Sequence, residues 1–325
     1  MSTINLIFEI NFAIFSVFFV LFLTELMGGL LLLIAYDATK AKVLPYIVPI
    51  WEVTGTFAAF WVVTSDFAYP NLILPVALSF AGLIVVFLIF FVFRNASITF
   101  AELITKRRWV DERRLYQAYG LATLLIAVVV VVVLSTIVSG AGFTLSATPT
   151  FSLWGWVTSA GSLPYLIGIV FVALGLAPVF YDIAPLRRLS PIFTVVGVAI
   201  EAGALYLYSS SFLSVWFVIP ALLTILASLL YQLPATAKIV SHKLVFALIG
   251  TVIVFSLSYL VYPTAFNGAL PVDAVTTTGA LVGAYYVLSV IGVVVVTLLM
   301  ALYLFAVQHA SAVRSAPAPA AASKP

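Results

Sequence analysis

The sequence predicts an all-α fold, a polytopic membrane protein of nine transmembrane helices, and two observations carry that expectation. Hydrophobic residues make up 64% of the chain and charged residues 8%, with a mean hydropathy of +1.26, a balance that no water-soluble domain sustains. The few charges are also gathered into short clusters, separated by apolar runs of roughly twenty residues or more, the length a helix needs to cross a bilayer.

Spans are expected at roughly 10–36, 45–68, 71–94, 115–139, 161–183, 190–209, 212–233, 243–264 and 277–306. The first lacks a basic start and a small-residue cleavage site and is too long for a signal peptide, so it is expected to stay in the protein. The second opens IVPIWEVTGTFAAFWVV (47–63), and membrane helices tolerate a proline such as Pro49. After the third comes a loop, 95–114, in which FAELITKRRWVDERR either anchors the topology or forms a short interfacial helix. In that helix Glu102 and Lys106 stand at i,i+4 and Trp109 lies at headgroup depth. Residues 1–144 are then a first four-helix bundle containing this loop, and 145–309 a second half of five helices. Residues 310–325, ending SAPAPAAASKP, form a disordered Ala/Pro-rich tail.

Basic residues fall on alternate connections. Lys40 and Lys42, the run TKRRWVDERR, Arg187 with Arg188, Lys238 with Lys243, and Arg314 all lie on one side, whereas SDFAYPN, FTLSATPTFSLWGWVTSAG, SSS and NGALPVDAVTTTG contain no Lys or Arg. The positive-inside rule then places the amino terminus outside and the carboxyl terminus in the cytoplasm. Topology accounts for these basic residues better than nucleic acid binding does, so no nucleic acid partner is expected.

The absence of cysteine excludes disulfides, thiolate metal sites and cysteine nucleophiles together. Two histidines, His242 in a connection and His309 beyond the last span, leave none at membrane depth, so this chain cannot by itself ligate a bis-histidine haem, copper or di-iron centre there. Met27 and Met300 are read as flexible packing. What remains is a sparse set of intramembrane acids, each costing a few kcal/mol to insert and therefore a functional candidate. Glu25, Glu52 and Glu201 are the deepest and make up a candidate proton path; the competing role is a hydrogen-bonded acid that locks helices together. Glu9, Asp66, Asp182 and Asp273 lie nearer the surfaces. No basic residue is expected at mid-membrane to accompany the acids.

Four stretches, in order, resemble subunit II of the cytochrome bd-type quinol oxidases. IVPIWEVTGTFAAFWVVTSDFAYP is similar to that family's second-helix signature, a Pro-His-Trp-Asp-Gly-Asn start leading to Phe-Ala-aromatic-Pro, with Pro49, Trp51, Glu52, Phe67, Ala68 and Pro70 on matching positions. TELMGG (24–29) resembles the first-helix Asp-Met-Gly-x-Gly segment, with Glu25 on the aspartate and Gly29 on a glycine. VFRNASITF (92–100) with RRWVD (107–111) resembles the Arg-ended third helix and its loop, matching Trp109 and Asp111. SLSYLVYPTAFNGALPVDAVTTTGAL (256–281) resembles the exit before the final helix, including Asp273. The family's histidine is Ile50 here, its aspartate Glu52 and its Gly-Asn pair Val53-Thr54, departures that point to a divergent branch, either archaeal or a relative that is not a quinol oxidase.

The resemblance implies two four-helix bundles plus a peripheral helix, in a multi-pass protein of a prokaryotic plasma membrane. It implies a non-catalytic, haem-free subunit of a respiratory-chain heterodimer that oxidises quinol and reduces oxygen to water. Haem b and d would reside in the partner subunit I, the other expected contacts being membrane lipid and a bound quinone or lipid molecule. Glu52 then stands where the matching family acid lies near cytoplasmic proton uptake. A secondary transporter with broken helices around Glu201, and a membrane anchor of a different redox complex, are the alternative readings.

Overall fold

The computed structural model describes residues 3–104, 111–146, 148–295 and 298. Trp109, Lys106, Met300, His309 and the tail 310–325 lie outside them.

Helix α1 spans Thr3–Ala68 and folds back at Ala35, whose φ of −142° and ψ of 49° are not helical. Its two arms run antiparallel. Asn11 Nδ2 donates to Ser65 Oγ at 3.1 Å near one end, Thr24 and Tyr46 share a 3.0 Å hydroxyl contact midway, and Thr39 Oγ1 donates to the Ala35 and Leu31 carbonyls at the bend. The connection expected at 37–44 is thus helical. A polar stretch, DATKAK, can turn without leaving helix because its side-chain hydroxyl satisfies the carbonyls that the bend frees.

Helices α2 (Pro70–Ser79) and α3 (Ala81–Ile104) follow, separated at Phe80, where Ser79 Oγ donates to the Pro75 carbonyl at 2.9 Å. The loop expected from residue 95 therefore starts later. Ser97, Ile98 and Ala101 are buried in the last turns of α3, so Arg94 sits ten residues inside a helix. Helix α4 (Glu112–Ser139) starts at Asp111, whose carboxylate accepts from the Arg113 amide at 3.1 Å, and ends at Gly140 in the left-handed region, φ 74°.

The remaining helices are α5 (Leu153–Thr158), α6 (Ser162–Tyr181), α7 (Ser190–Tyr208), α8 (Val215–Leu230), α9 (Pro234–Val240), α10 (Lys243–Leu257) and α11 (Ala280–Val295). The all-α expectation fits the fold, with two short antiparallel ribbons added in the connections: β1 (Phe143–Thr144) pairs with β2 (Thr150–Phe151), and β3 (Thr264–Ala265) with β4 (Leu270–Pro271). They lie together, with the Phe143 and Phe266 rings stacked at 4.4 Å. Aromatic and threonine-rich connections of this length have enough side chain to cap a bundle end.

The α1 hairpin packs against α4 on one side and against α6 and α10 on the other, while α3 completes the first group and α7 and α8 the second. Tyr181 of α6 donates to the Thr24 carbonyl at 2.9 Å, and Phe180, Tyr181 and Tyr46 form edge contacts, so one core runs through both groups. The basic connections gather at one end: Lys42 pairs with Asp182 at 3.4 Å, Arg187 with the same carboxylate at 3.9 Å, and Lys243 donates to the Phe180 carbonyl.

Six helices among the described residues are long and apolar enough to cross a membrane, with the α1 hairpin counted as one. The chain is a membrane protein. By that criterion the count falls short of nine. The first two expected spans are joined in the single α1 hairpin, and α8 has 16 residues, about 24 Å of rise against a hydrocarbon core of about 30 Å.

Candidate functional site

The deepest polar cluster assembles around Glu25. The carboxylate lies on the first arm of α1 at 0% exposure, and Arg94 of α3, 2% exposed, donates to it from its guanidinium. The Arg94 guanidinium carbon also stands 5.5 Å from the Tyr119 ring centre and 5.8 Å from that of Phe91. Thr54 on the second arm and Tyr119 on α4 face the same carboxylate. Four helical segments thus converge on one acid. Glu25 Oε1, Arg94 Nε, Asn95 Oδ1 and the Tyr119 hydroxyl are buried with no hydrogen-bond partner among the described residues.

Close helix approach makes room for this convergence. One turn from Glu25, a Cβ on Gly29 would come within 3.2 Å of Gly120 Cα, and one on Gly120 within 2.6 Å of the Gly29 carbonyl oxygen. Gly29, a family-motif position, therefore sets the spacing of α1 and α4. The cluster corrects the expectation that no cation accompanies the acids at mid-membrane: Arg94 does so. Its signal is present in the sequence as Arg94, Ile98 and Ala101 at i, i+4 and i+7, one face of a helix that continues past the arginine.

Glu201 is placed elsewhere. It lies on α7 and lines a cavity of about 310 Å³ between α1 and the second helix group, with Phe12, Phe15, Trp61, Tyr165 and Phe217 among the walls. It is the sole charged residue in that lining, and its carboxylate has no hydrogen-bond partner among the described residues.

Glu52 is different again. It is exposed on the second arm of α1, with no hydrogen-bond or ion-pair partner for its carboxylate among the described residues. The three acids consequently do not form one file: Glu25 is closed off by Arg94, Glu201 lines the cavity between α1 and the second helix group, and Glu52 faces outward. Of the other motif positions, Pro49 and Trp51 are half-buried and Ile50 is buried against Leu21 and Phe57. Asp111 caps α4, and Asp273 is exposed on a single 3-10 turn after β4. Glu102 accepts from Tyr116, and Glu9 from Tyr259 at 3.4 Å. Asp182 and Met27 are structural in position, the first ending α6 with φ 51° and the second buried in the shared core. Among the described residues no three His, Cys, Asp or Glu side chains are grouped to hold a metal ion.

No protein-family model matches the chain, and no curated protein matches it significantly. Its fold is similar to that of a chain in the structure of bd oxidase from Geobacillus thermodenitrificans, with a TM-score of 0.68 and 15% identity, over 94% of this chain and 99% of that one.

Proposed function

We propose that this chain is the haem-free subunit II of a cytochrome bd-type complex that oxidises quinol and reduces oxygen to water. The observation that carries the reading is the fold shared with a bd oxidase chain over nearly the whole of both chains. The choice of subunit rests on the histidines. A chain whose two histidines are His242 and His309 has none at membrane depth to ligate haem, so haem b and d belong to a partner, subunit I. On this reading nine segments cross a prokaryotic plasma membrane, once the α1 hairpin is divided and α8 and α11 are included. They form two bundles within 1–144 and 145–309, with the amino terminus outside and the basic end in the cytoplasm.

Of the three candidate proton-path acids, Glu52 is the one placed to exchange a proton with another chain or with water, because its carboxylate is on the surface. Glu25 could release a proton route only by breaking its pair with Arg94. The cavity at Glu201 is where a quinone or lipid molecule would be held by this subunit, its apolar walls taking the chain and the carboxylate the polar end.

The test is co-purification. A tagged chain should bring down one larger membrane polypeptide and a b- and d-type haem spectrum, with every iron ligand on the partner and no haem on this chain expressed alone. A secondary transporter is the second reading, and the Glu201 cavity favours it. Arg94 does not, since Glu25 engages it away from the cavity lining. A monomer that binds a solute without haem supports transport; a haem-free redox partner supports the anchor reading.

A further inference from the structure

We propose that the cavity between the start of α8 and the β3–β4 ribbon binds a sugar ring, carried by the uncharged head of a glycolipid or by a free glycan.

The cavity, of about 420 Å³, lies where the first turn of α8 meets the 3-10 turn Ser258–Leu260 that follows α10, with the tip of the β3–β4 ribbon on a third side. That is the end of α10 remote from Lys243 and the basic connections. Its polar side chains are left free by the fold. Ser214 stands just before α8 with extended backbone, φ −76° and ψ 174°, from which a serine ordinarily turns back to accept from an amide of the first turn. Its hydroxyl makes no such bond. Thr264 Oγ1 and the Asn267 side-chain amide are likewise without a hydrogen-bond partner among the described residues. Asn267, at φ 52°, and Gly268, at φ 90°, form the left-handed tip of the ribbon, where the Asn267 amide is exposed. Two hydroxyls and one amide therefore offer donors and acceptors to the same space.

An aromatic wall stands beside them. The Trp216 ring stacks on that of Tyr259 at 4.4 Å and 22°, and the Tyr259 hydroxyl is tied to Glu9 at 3.4 Å. Tyr259 covers one face of the indole, yet Trp216 is 44% exposed, so the other face is open. The negative face of an indole attracts C–H groups, and a pyranose presents C–H groups on its face and hydroxyls around its rim. Charge excludes the other common heads. The lining contains no Lys, Arg, His, Asp or Glu, so a phosphate or carboxylate would enter without a cation and an ammonium without an acid. Exposed Val215, Ile219 and Leu222 continue from the cavity along α8 at i, i+4 and i+7, an apolar strip on which acyl chains can lie.

The experiment takes the full chain with whatever co-purifies, in nanodiscs prepared without a sugar-headed detergent. Labelled glucosyl diacylglycerol should bind saturably and in excess over equally labelled phosphatidylglycerol and phosphatidylcholine. A second arm omits the glycolipid and titrates methyl glucoside against tryptophan emission, with Trp216→Phe as the blank. A shift there assigns the site to free sugar, and glycolipid binding without it assigns the lipid head; each upholds a sugar site. Ser214→Ala and Asn267→Gly, the second keeping the left-handed backbone, should each weaken binding about fivefold, and Trp216→Ala by more. The Ser214 hydroxyl holds no part of the fold, so Ser214→Ala should keep the parent's unfolding midpoint, which separates lost binding from misfolding. No saturable binding in either arm, equal binding of the two phospholipids, or glycolipid affinity unchanged in all three variants overturns the proposal and leaves Trp216 as an interfacial anchor.

Discussion

Arg94 of α3 and Glu25 of α1 form an ion pair with both side chains withdrawn from solvent, at 3% and 0% exposure. Removing one partner strands the other charge, so Arg94→Met and Glu25→Leu should each cost about 3–5 kcal/mol, while the double substitution should recover most of the loss. Thermal unfolding in detergent of the two single variants and the double one measures the coupling. Strictly additive losses would show that the two do not act as a pair.

Gly29 and Gly120 make a second, steeper prediction. The Cβ of Gly120→Ala would lie 2.6 Å from the Gly29 carbonyl oxygen, whereas that of Gly29→Ala meets Gly120 Cα at 3.2 Å. Both obstructions are backbone and cannot swing aside. Gly120→Ala should therefore destabilise more than Gly29→Ala, by about 1–3 kcal/mol against a smaller loss. Equal midpoints in a thermal scan would mean that the helices separate at no cost there.

The same residues show how far the sequence can be read. Hydropathy places the membrane helices because lipid imposes its requirement residue by residue, and Glu25 and Glu201 stand out because acids in such runs are conspicuous. The continuation of α3 through Ile104 is masked by the polarity of RNASITFAE, which reads as a loop although the i, i+4, i+7 spacing of Arg94, Ile98 and Ala101 is there and tertiary packing buries the Ser97–Ile98–Ala101 face. The partners are hidden with it. A single sequence does not say which helix stands beside which, so neither the Arg94 pair, nor the cavity at Glu201, nor the isolation of Glu52 can be deduced from it. The ribbons at 143–151 and 264–271 are too short for any alternation to show.

Topology can be tested without background labelling because the chain has no cysteine. Ala160, between α5 and α6, and His242, before α10, are placed at opposite ends. With the basic end in the cytoplasm, Ala160→Cys should react with an impermeant maleimide in intact cells and His242→Cys only after lysis. The reverse pattern would invert the orientation.

Glu201 gives the prediction that most sharply separates stability from function. It lines a cavity whose walls are mostly apolar, Tyr165, Thr224 and Ser258 being among the exceptions, and its carboxylate has no hydrogen-bond partner among the described residues. Holding such a group unpaired against mostly apolar walls costs about 1–3 kcal/mol by protein mutational measures, so the fold alone gains nothing from it. Glu201→Leu is close in volume and apolar, and should raise the unfolding midpoint of the purified complex while leaving assembly and haem content unchanged. Glu201→Gln keeps shape and polarity but cannot ionise, so it should leave the midpoint near that of the parent. If the carboxylate orients a bound quinone or lipid, mass spectrometry of the extracted Glu201→Leu complex should show that molecule depleted, and the Glu201→Gln complex should retain it. A fall in the midpoint of Glu201→Leu would show instead that the carboxylate is held by a stabilising partner in the membrane, which is the helix-locking role.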